Sequence, residues 1–305
     1  MATIMANGLN LAYETQGKPT DPCVLLVMGL GMQLIAWPED FVEGLVEQGF
    51  FVVRFDNRDA GLSSKMTQAG KPHLPLAYLK SLVGWPLKSA YTLDDMAQDA
   101  LALLVALRIE QAHVIGVSMG GMIAQVMAAR APGQILSLTS VMSTSSRRGL
   151  PGPTRAARKA LLQGPKRKAS RDEVMAHMVA TVRVIGSPSY PIAEKILHRR
   201  IEAALERGSY PEGMARQMVA IVASGERTEL LKSICCPSLV IHGAADPLIP
   251  VACGIDTAAL IPGARLEVIE GMGHDMPPQL IERLLALIDM HLQGKMAEQL
   301  RSQPA

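Results

Sequence analysis

The residues best suited to chemistry are Gly116-Val117-Ser118-Met119-Gly120-Gly121. A serine with glycine two positions before and two after it, between an apolar run and an apolar helical stretch, marks a sharp strand–turn–helix. In so tight a turn the serine adopts a strained backbone conformation. Bulk two residues to either side would collide, hence Gly116 and Gly120. The helix that follows aims free N–H groups at the hydroxyl, where they favour developing negative charge. A serine hydroxyl is a weak nucleophile until a base takes its proton. That base is usually histidine, itself oriented by a carboxylate. Ser118 is therefore the candidate nucleophile for acyl transfer.

Such a turn goes with the chain order nucleophile, acid, histidine. Of the seven histidines, His177, His198, His242, His274 and His291 follow Ser118. His177 and His198 fall in a helical insertion, His242 ends a strand just before Gly243, and His291 lies near the end of the last helix. His274 sits in Gly271-Met272-Gly273-His274-Asp275, a glycine-rich loop after the last strand. Open α/β sheets place their sites in loops at the carboxyl ends of strands, so His274 is the candidate base. Asp246, in Ala244-Ala245-Asp246-Pro247, follows a strand in the same way and is the candidate acid. A plain turn or helix-capping role is the other use of an Asp-Pro sequence. The end of the preceding strand offers only Ser and Thr. Asp275 adjoins His274 and cannot easily face its ring, and Asp256 is expected within a helix, facing solvent.

Acyl transfer also needs two donors aimed at the oxyanion. The N–H of Met119, directly after the nucleophile, is one candidate. Leu30, in the loop Met28-Gly29-Leu30-Gly31, is the other. Gly29 and Gly31 let that loop approach the substrate.

The elements that must hold these residues read as alternating strands and helices. Strands are expected over Asn10 to Glu14, Val24 to Met28, Phe50 to Phe55, His113 to Val117, Ile135 to Met142, Ser238 to Ile241 and Leu266 to Ile269. Helices are expected over Pro38 to Gln48, Tyr91 to Leu107, Met119 to Arg130, Val251 to Leu260 and Pro278 to His291. Thr92 is suited to cap the second of these helices, with Asp94 and Asp95 in its first turn. Repeated strand–helix units imply a mostly parallel sheet with helices on both faces. The stretch Leu62 to Ala90 is long for a connection, a length usually tied to function. The polar tail from Gln293 to Ala305 is expected to fray.

Residues 145–225 break the alternation and read as helices separated by Pro and Gly. They carry 15 Lys/Arg against 6 Asp/Glu, half of the chain's 30 basic residues. The chain thus divides into a core domain of residues 1–144 and 226–305 and a helical cap, or lid, of residues 145–225. Net charge is only +2, so no global field argues for nucleic acid. The basic segment also lacks the aromatic interleaving of a strand-binding surface, having only Tyr190 and Tyr210. No leader is visible in Met1 to Gly8, and no run is long enough to span a membrane. Cys23, Cys235, Cys236 and Cys253 match no zinc spacing and read as buried free thiols of a cytoplasmic protein.

Taken together, these motifs resemble the α/β-hydrolase superfamily over residues 1 to 145 and 226 to 292. The resemblance rests on Met28-Gly29-Leu30-Gly31, on Asp56-Asn57-Arg58-Asp59-Ala60-Gly61-Leu62-Ser63, on the Ser118 turn and on the Asp246/His274 pair. Many members have His-Gly where this chain has Met28-Gly29, and Arg-Gly where it has Arg58-Asp59. The loop, the following Trp37-Pro38 and the Asp-x-Arg-Asp turn are similar to the aclacinomycin methylesterase-like group.

The resemblance implies the α/β-hydrolase fold, with the segment after the sixth strand as a lid. It implies a small-molecule ester as substrate, a Ser-His-Asp triad and no metal or cofactor. It assigns Asp56 and Arg58 to stabilising their turn. Basic lid residues would attract anionic substrates or simply face solvent. Met175, Met178, Val179, Ile221 and Val222 would line an acyl pocket or pack as core. Lactonases, thioesterases, C–C hydrolases and cofactor-free perhydrolases share the triad, and a non-catalytic ligand-binding homologue shares the fold. The oligomeric state, monomer or homodimer, is not legible.

Overall fold

A computed structural model of the protein describes residues 1–74, 77, 80, 85, 87–164 and 169–294. Eight strands form one sheet: β1 (Ala2–Ala6), β2 (Leu9–Gln16), β3 (Cys23–Val27), β4 (Phe51–Phe55), β5 (Ala112–Val117), β6 (Ile135–Val141), β7 (Ser238–Gly243) and β8 (Arg265–Ile269). Their spatial order is β1-β2-β4-β3-β5-β6-β7-β8. β1 and β2 run antiparallel to their neighbours, and every pairing from β4 to β8 is parallel. This is the α/β-hydrolase fold expected above.

Apolar residues on both faces of the sheet explain the two flanking layers. In β3, Leu25 and Val27 join one core and Val24 and Leu26 the other. The first core takes the buried faces of α2 (Leu93–Ala106) and α3 (Met119–Arg130). The second takes α1 (Glu39–Glu47) and α10 (Ile281–Leu292). α2 buries Leu93, Met96, Ala97, Ala100, Leu103 and Leu104, a helical stripe. Thr92 caps it reciprocally with Asp95, worth about 1 kcal/mol.

Between β6 and β7 come α4 (Arg155–Leu162), α5 (Arg171–Ile185), α6 (Glu194–Arg207), α7 (Pro211–Ser224) and the short α8 (Thr228–Lys232); α9 (Val251–Leu260) follows β7. Val179, Leu197 and Ile201 form a small core between α5 and α6, with Met175 and Met178 packed against it. Ile221 packs on the main core, while Val222 is 39% exposed. Two basic residues of this segment are buried in ion pairs rather than solvated: Arg207 with Asp56 and Arg216 with Asp59. Others pair at the surface, as Arg183 does with Glu194. Arg227 fastens the segment's exit to its entry. Its backbone N–H donates to the Ser145 carbonyl (2.9 Å), and its guanidinium to the Thr144 carbonyl (2.6 Å) and to Gln125 Oε1 (3.2 Å). Burial pushes the Arg227 pKa down to about 10.

Three expectations need correction. β1 was not foreseen; it closes a hairpin through Asn7 and Gly8, both at positive φ. Asp256 is buried rather than solvated: it accepts from Ser145 Oγ (2.5 Å) and pairs with Arg147, because the chain leaving β6 crosses this helix. The four thiols are free, but only Cys23 and Cys253 are buried; Cys235 is exposed and Cys236 half-buried, in the turn before β7. The 62–90 stretch and the tail fall partly outside the described residues. No described helix is long and apolar enough to cross a membrane.

Candidate active site

Ser118 stands between the end of β5 and the start of α3, with φ 56° and ψ −119°. That left-handed conformation costs a non-glycine residue about 1–3 kcal/mol, and its surroundings enforce it. The Ser118 N–H donates to the Val141 carbonyl (2.9 Å), and the Ser118 carbonyl accepts from Ser143 Oγ (2.8 Å). A Cβ at Gly116 would run into the Gly120 carbonyl, and one at Gly120 into the Val27 carbonyl. The two glycines are thus required by backbone approach, as their spacing implied.

His274 and Asp246 come from loops after β8 and β7. His274 Nε2 lies 3.0 Å from Ser118 Oγ, and His274 Nδ1 lies 2.7 Å from Asp246 Oδ2. The other carboxylate oxygen of Asp246 accepts the N–H groups of Leu248 and Ile249, both at 2.8 Å. Those two bonds fix the carboxylate plane and leave Oδ2 for the imidazole. His242 is buried behind it, donating Nε2–H to the Ile249 carbonyl (2.8 Å); burial pushes its pKa down. Its Nε2 also lies 3.6 Å from Asp246 Oδ2.

The end of α5 and the segment after it clasp the histidine loop. The Ile185 carbonyl accepts the His274 N–H (2.7 Å). Ser187 Oγ accepts from the Gly273 N–H (2.8 Å) and donates to Asp275 Oδ1 (2.5 Å). Asp275 therefore faces Ser187 and not the imidazole. Burial pushes its carboxyl up, against these hydrogen bonds.

The 28–32 loop lies beside the nucleophile. A Cβ on Gly29 would fall 3.3 Å from Ser118 Cβ and 3.8 Å from Ser118 Oγ. Met119 opens α3, so its N–H has no acceptor within the helix. The Gly31 N–H is taken by Gln217 Oε1 (2.7 Å). Leu30, by contrast, donates to no acceptor among the described residues.

The turn at residues 56–59 supports that loop without touching Ser118. Asp56 accepts the N–H groups of Leu34 (2.7 Å) and Leu62 (2.8 Å), Asn57 donates to the Met28 carbonyl (3.0 Å), and Arg58 grips Asp99 of α2. Sequence reasoning missed the partners on α7, Arg216 and Gln217. Both are fully enclosed polar residues in a helix that continues Met218-Val219-Ala220, and an Arg-Gln pair at the head of an apolar run was the available signal. Among the described residues no group of His, Cys, Asp and Glu is arranged to hold a metal ion.

The arrangement of Ser118, His274 and Asp246 can pass a proton from hydroxyl to imidazole while a carboxylate steadies the ring. Comparison with known proteins bears on the fold and family of the whole chain. A family model described as the alpha/beta hydrolase fold matches residues 22–177. Rhodomycin D methylesterase of Streptomyces peucetius is 30% identical over 93% of this chain and 95% of its own. The 3-oxoadipate enol-lactonase 2 of Acinetobacter baylyi is 28% identical over 88% of each chain. Among solved structures, a meta-cleavage product hydrolase from Pseudomonas fluorescens superposes with a TM-score of 0.75 at 19% identity, over 97% of this chain and 98% of that one. That last likeness is one of fold.

Proposed function

The chain belongs to the α/β-hydrolase family, and on that premise we propose that it hydrolyses carboxylic esters through an acyl-enzyme formed on Ser118. The observation that carries the reading is the hydrogen-bonded series Ser118 Oγ, His274, Asp246, at 3.0 and 2.7 Å. His274, steadied by Asp246, takes the hydroxyl proton as Ser118 Oγ attacks the ester carbonyl. The N–H groups of Met119 and Leu30 hold the tetrahedral oxyanion. The alcohol departs with the proton from His274, and water, activated by the same imidazole, releases the acid. Gly29 and Gly31 keep the loop close enough to the substrate for this.

Residues 145–225 act as a cap over a core of residues 1–144 and 226–305, and the small-molecule ester is bound beneath them. Support comes from the bonds that join Ile185 and Ser187 to the histidine loop and Gln217 to the 28–32 loop. The free state of all four thiols supports a place in the reducing cytoplasm. Similarity to a methylesterase favours esters of small alcohols. Similarity to an enol-lactonase supports one second reading, lactone opening by the same three residues.

Initial rates over methyl esters, p-nitrophenyl esters of graded acyl length, lactones and thioesters test this. Esters should be turned over fastest, with steady turnover after any burst. A single stoichiometric burst without turnover would point instead to a ligand-binding protein on this fold.

A further inference from the structure

Helix α7 meets the 28–32 loop through two residues on one helical face, Met214 and Gln217, three apart. A Cβ on Gly31 would lie 3.0 Å from Met214 Cγ. Gly31 itself has φ 67°. Gln217 is fully buried, and each end of its amide is engaged, by partners of opposite kind. Oε1 accepts the Gly31 N–H (2.7 Å), and Nε2 donates to the Arg58 carbonyl (2.7 Å). One partner is a donor and the other an acceptor, so the amide has a single satisfied orientation. The next residue back, Arg216, locks the same helix to Asp59.

In a tight loop, successive amides can turn towards one incoming anion unless another acceptor already holds them. Here the Gly31 N–H is already engaged, while the Leu30 N–H donates to no described acceptor. The 28–32 loop is otherwise held on the core side, by Asn57 at the Met28 carbonyl. Gln217 is the polar side chain that holds it from the α7 side.

We propose that Gln217 is a positioning residue for the oxyanion loop: by occupying the Gly31 N–H it presents the Leu30 N–H to the tetrahedral intermediate, so that seating of α7 is a condition for transition-state stabilisation. The inference rests on the reading of Ser118 as nucleophile given above. It differs from a general packing role in one respect. The loss on mutation falls on kcat per competent site, and not on the fraction of sites that are competent.

The test compares wild type with Gln217→Met, which removes both hydrogen bonds at similar volume, and Gln217→Glu, which keeps an acceptor for Gly31. Sites are counted by titration with a fluorophosphonate. In Gln217→Met, kcat per titrated site should fall about 10- to 100-fold, part of what a lost oxyanion donor costs. KM should stay within about threefold of wild type. Affinity for an arylboronic acid, which forms a tetrahedral adduct on the serine, should fall by the same factor as kcat. Gln217→Glu should lie between the two. A Gln217→Met kcat per site within about twofold of wild type, or a loss confined to KM, overturns the proposal.

Should the variants fail to fold, amide exchange in the unmodified protein decides. Binding the boronic acid should newly protect Leu30 and Met119, while Gly31 is slow throughout; new protection at Gly31 and none at Leu30 overturns it. Ser118→Ala separates the two levels. Activity retained in that variant defeats the reading of the site itself. Activity lost there but intact in Gln217→Met defeats only the role of Gln217.

Discussion

Arg216 of helix α7 grips Asp59 with two parallel hydrogen bonds, Nε to Oδ2 and Nη2 to Oδ1, each 2.8 Å long. The two residues are 157 positions apart and both side chains are buried, at 3% and 0% exposure. Asp59 stands at φ 67°, where glycine would be at ease. Tyr91 Oη also donates to its carboxylate (2.7 Å). Burial raises the Asp59 pKa, but the hydrogen bonds from Arg216 and Tyr91 outweigh it and hold the carboxyl below its ordinary value. The residue at position 59 thus trades backbone comfort for a charged link between core and helix.

Asp59→Gly relieves the backbone but leaves a buried guanidinium without its counter-ion. It should destabilise the protein by about 3–5 kcal/mol. Arg216→Leu should cost a similar amount by removing the counter-ion of a buried carboxylate that Tyr91 and Met66 still contact. The double variant Asp59→Gly/Arg216→Leu should lose clearly less than the two single changes added together, because neither charge is then stranded. Urea unfolding of the four proteins checks this, and strict additivity would show that the pair is not coupled.

Asp246→Asn should leave the fold intact and remove most activity. The introduced amide can still accept the Leu248 and Ile249 N–H groups through its oxygen. Its NH₂ then faces His274 Nδ1 and selects the tautomer with the proton on Nε2, which cannot receive the Ser118 proton. A fall in kcat of about 10³- to 10⁴-fold, with an unchanged unfolding midpoint, is expected. Steady-state rates beside thermal unfolding measure both.

Acid should destabilise the protein through its buried histidines. His291, with Nε2–H donating to the Leu138 carbonyl (3.1 Å), has its pKa pushed by burial from 6.5 to about 4. Burial lowers His113 and His242 as well. A depressed histidine binds its proton more readily when unfolded. Its share of stability is therefore complete above pH 6.5 and is lost as the pH falls towards 4, by about 3 kcal/mol for His291. Urea midpoints at pH 7 and pH 4.5 should differ less in His291→Gln than in wild type; equal differences would contradict this.

The sheet and the candidate site residues were legible because each depends on local spacing. Apolar runs mark β3 to β8, and Gly116, Ser118 and Gly120 encode their own turn. Asp246 and His274 were found by their shared position after a strand. The β1 hairpin was missed although Asn7-Gly8 is a strong turn signal, because the short edge strand beside it is mostly exposed and shows little pattern. Asp256 looked solvated because helical periodicity does not reveal which loop crosses the helix. Asp59, Arg216 and Gln217 were illegible for a deeper reason. Their pairing exists only once α7 docks on the core, and no local rule links residues so far apart in sequence.

The most direct test of the account is hydrolysis of a p-nitrophenyl ester by purified wild type and Ser118→Ala, with folding verified for both. The account predicts that wild type turns over and that Ser118→Ala loses at least about 10³-fold in kcat, leaving only what binding and the oxyanion donors supply. Hydrolysis by Ser118→Ala at a rate close to wild type would contradict it.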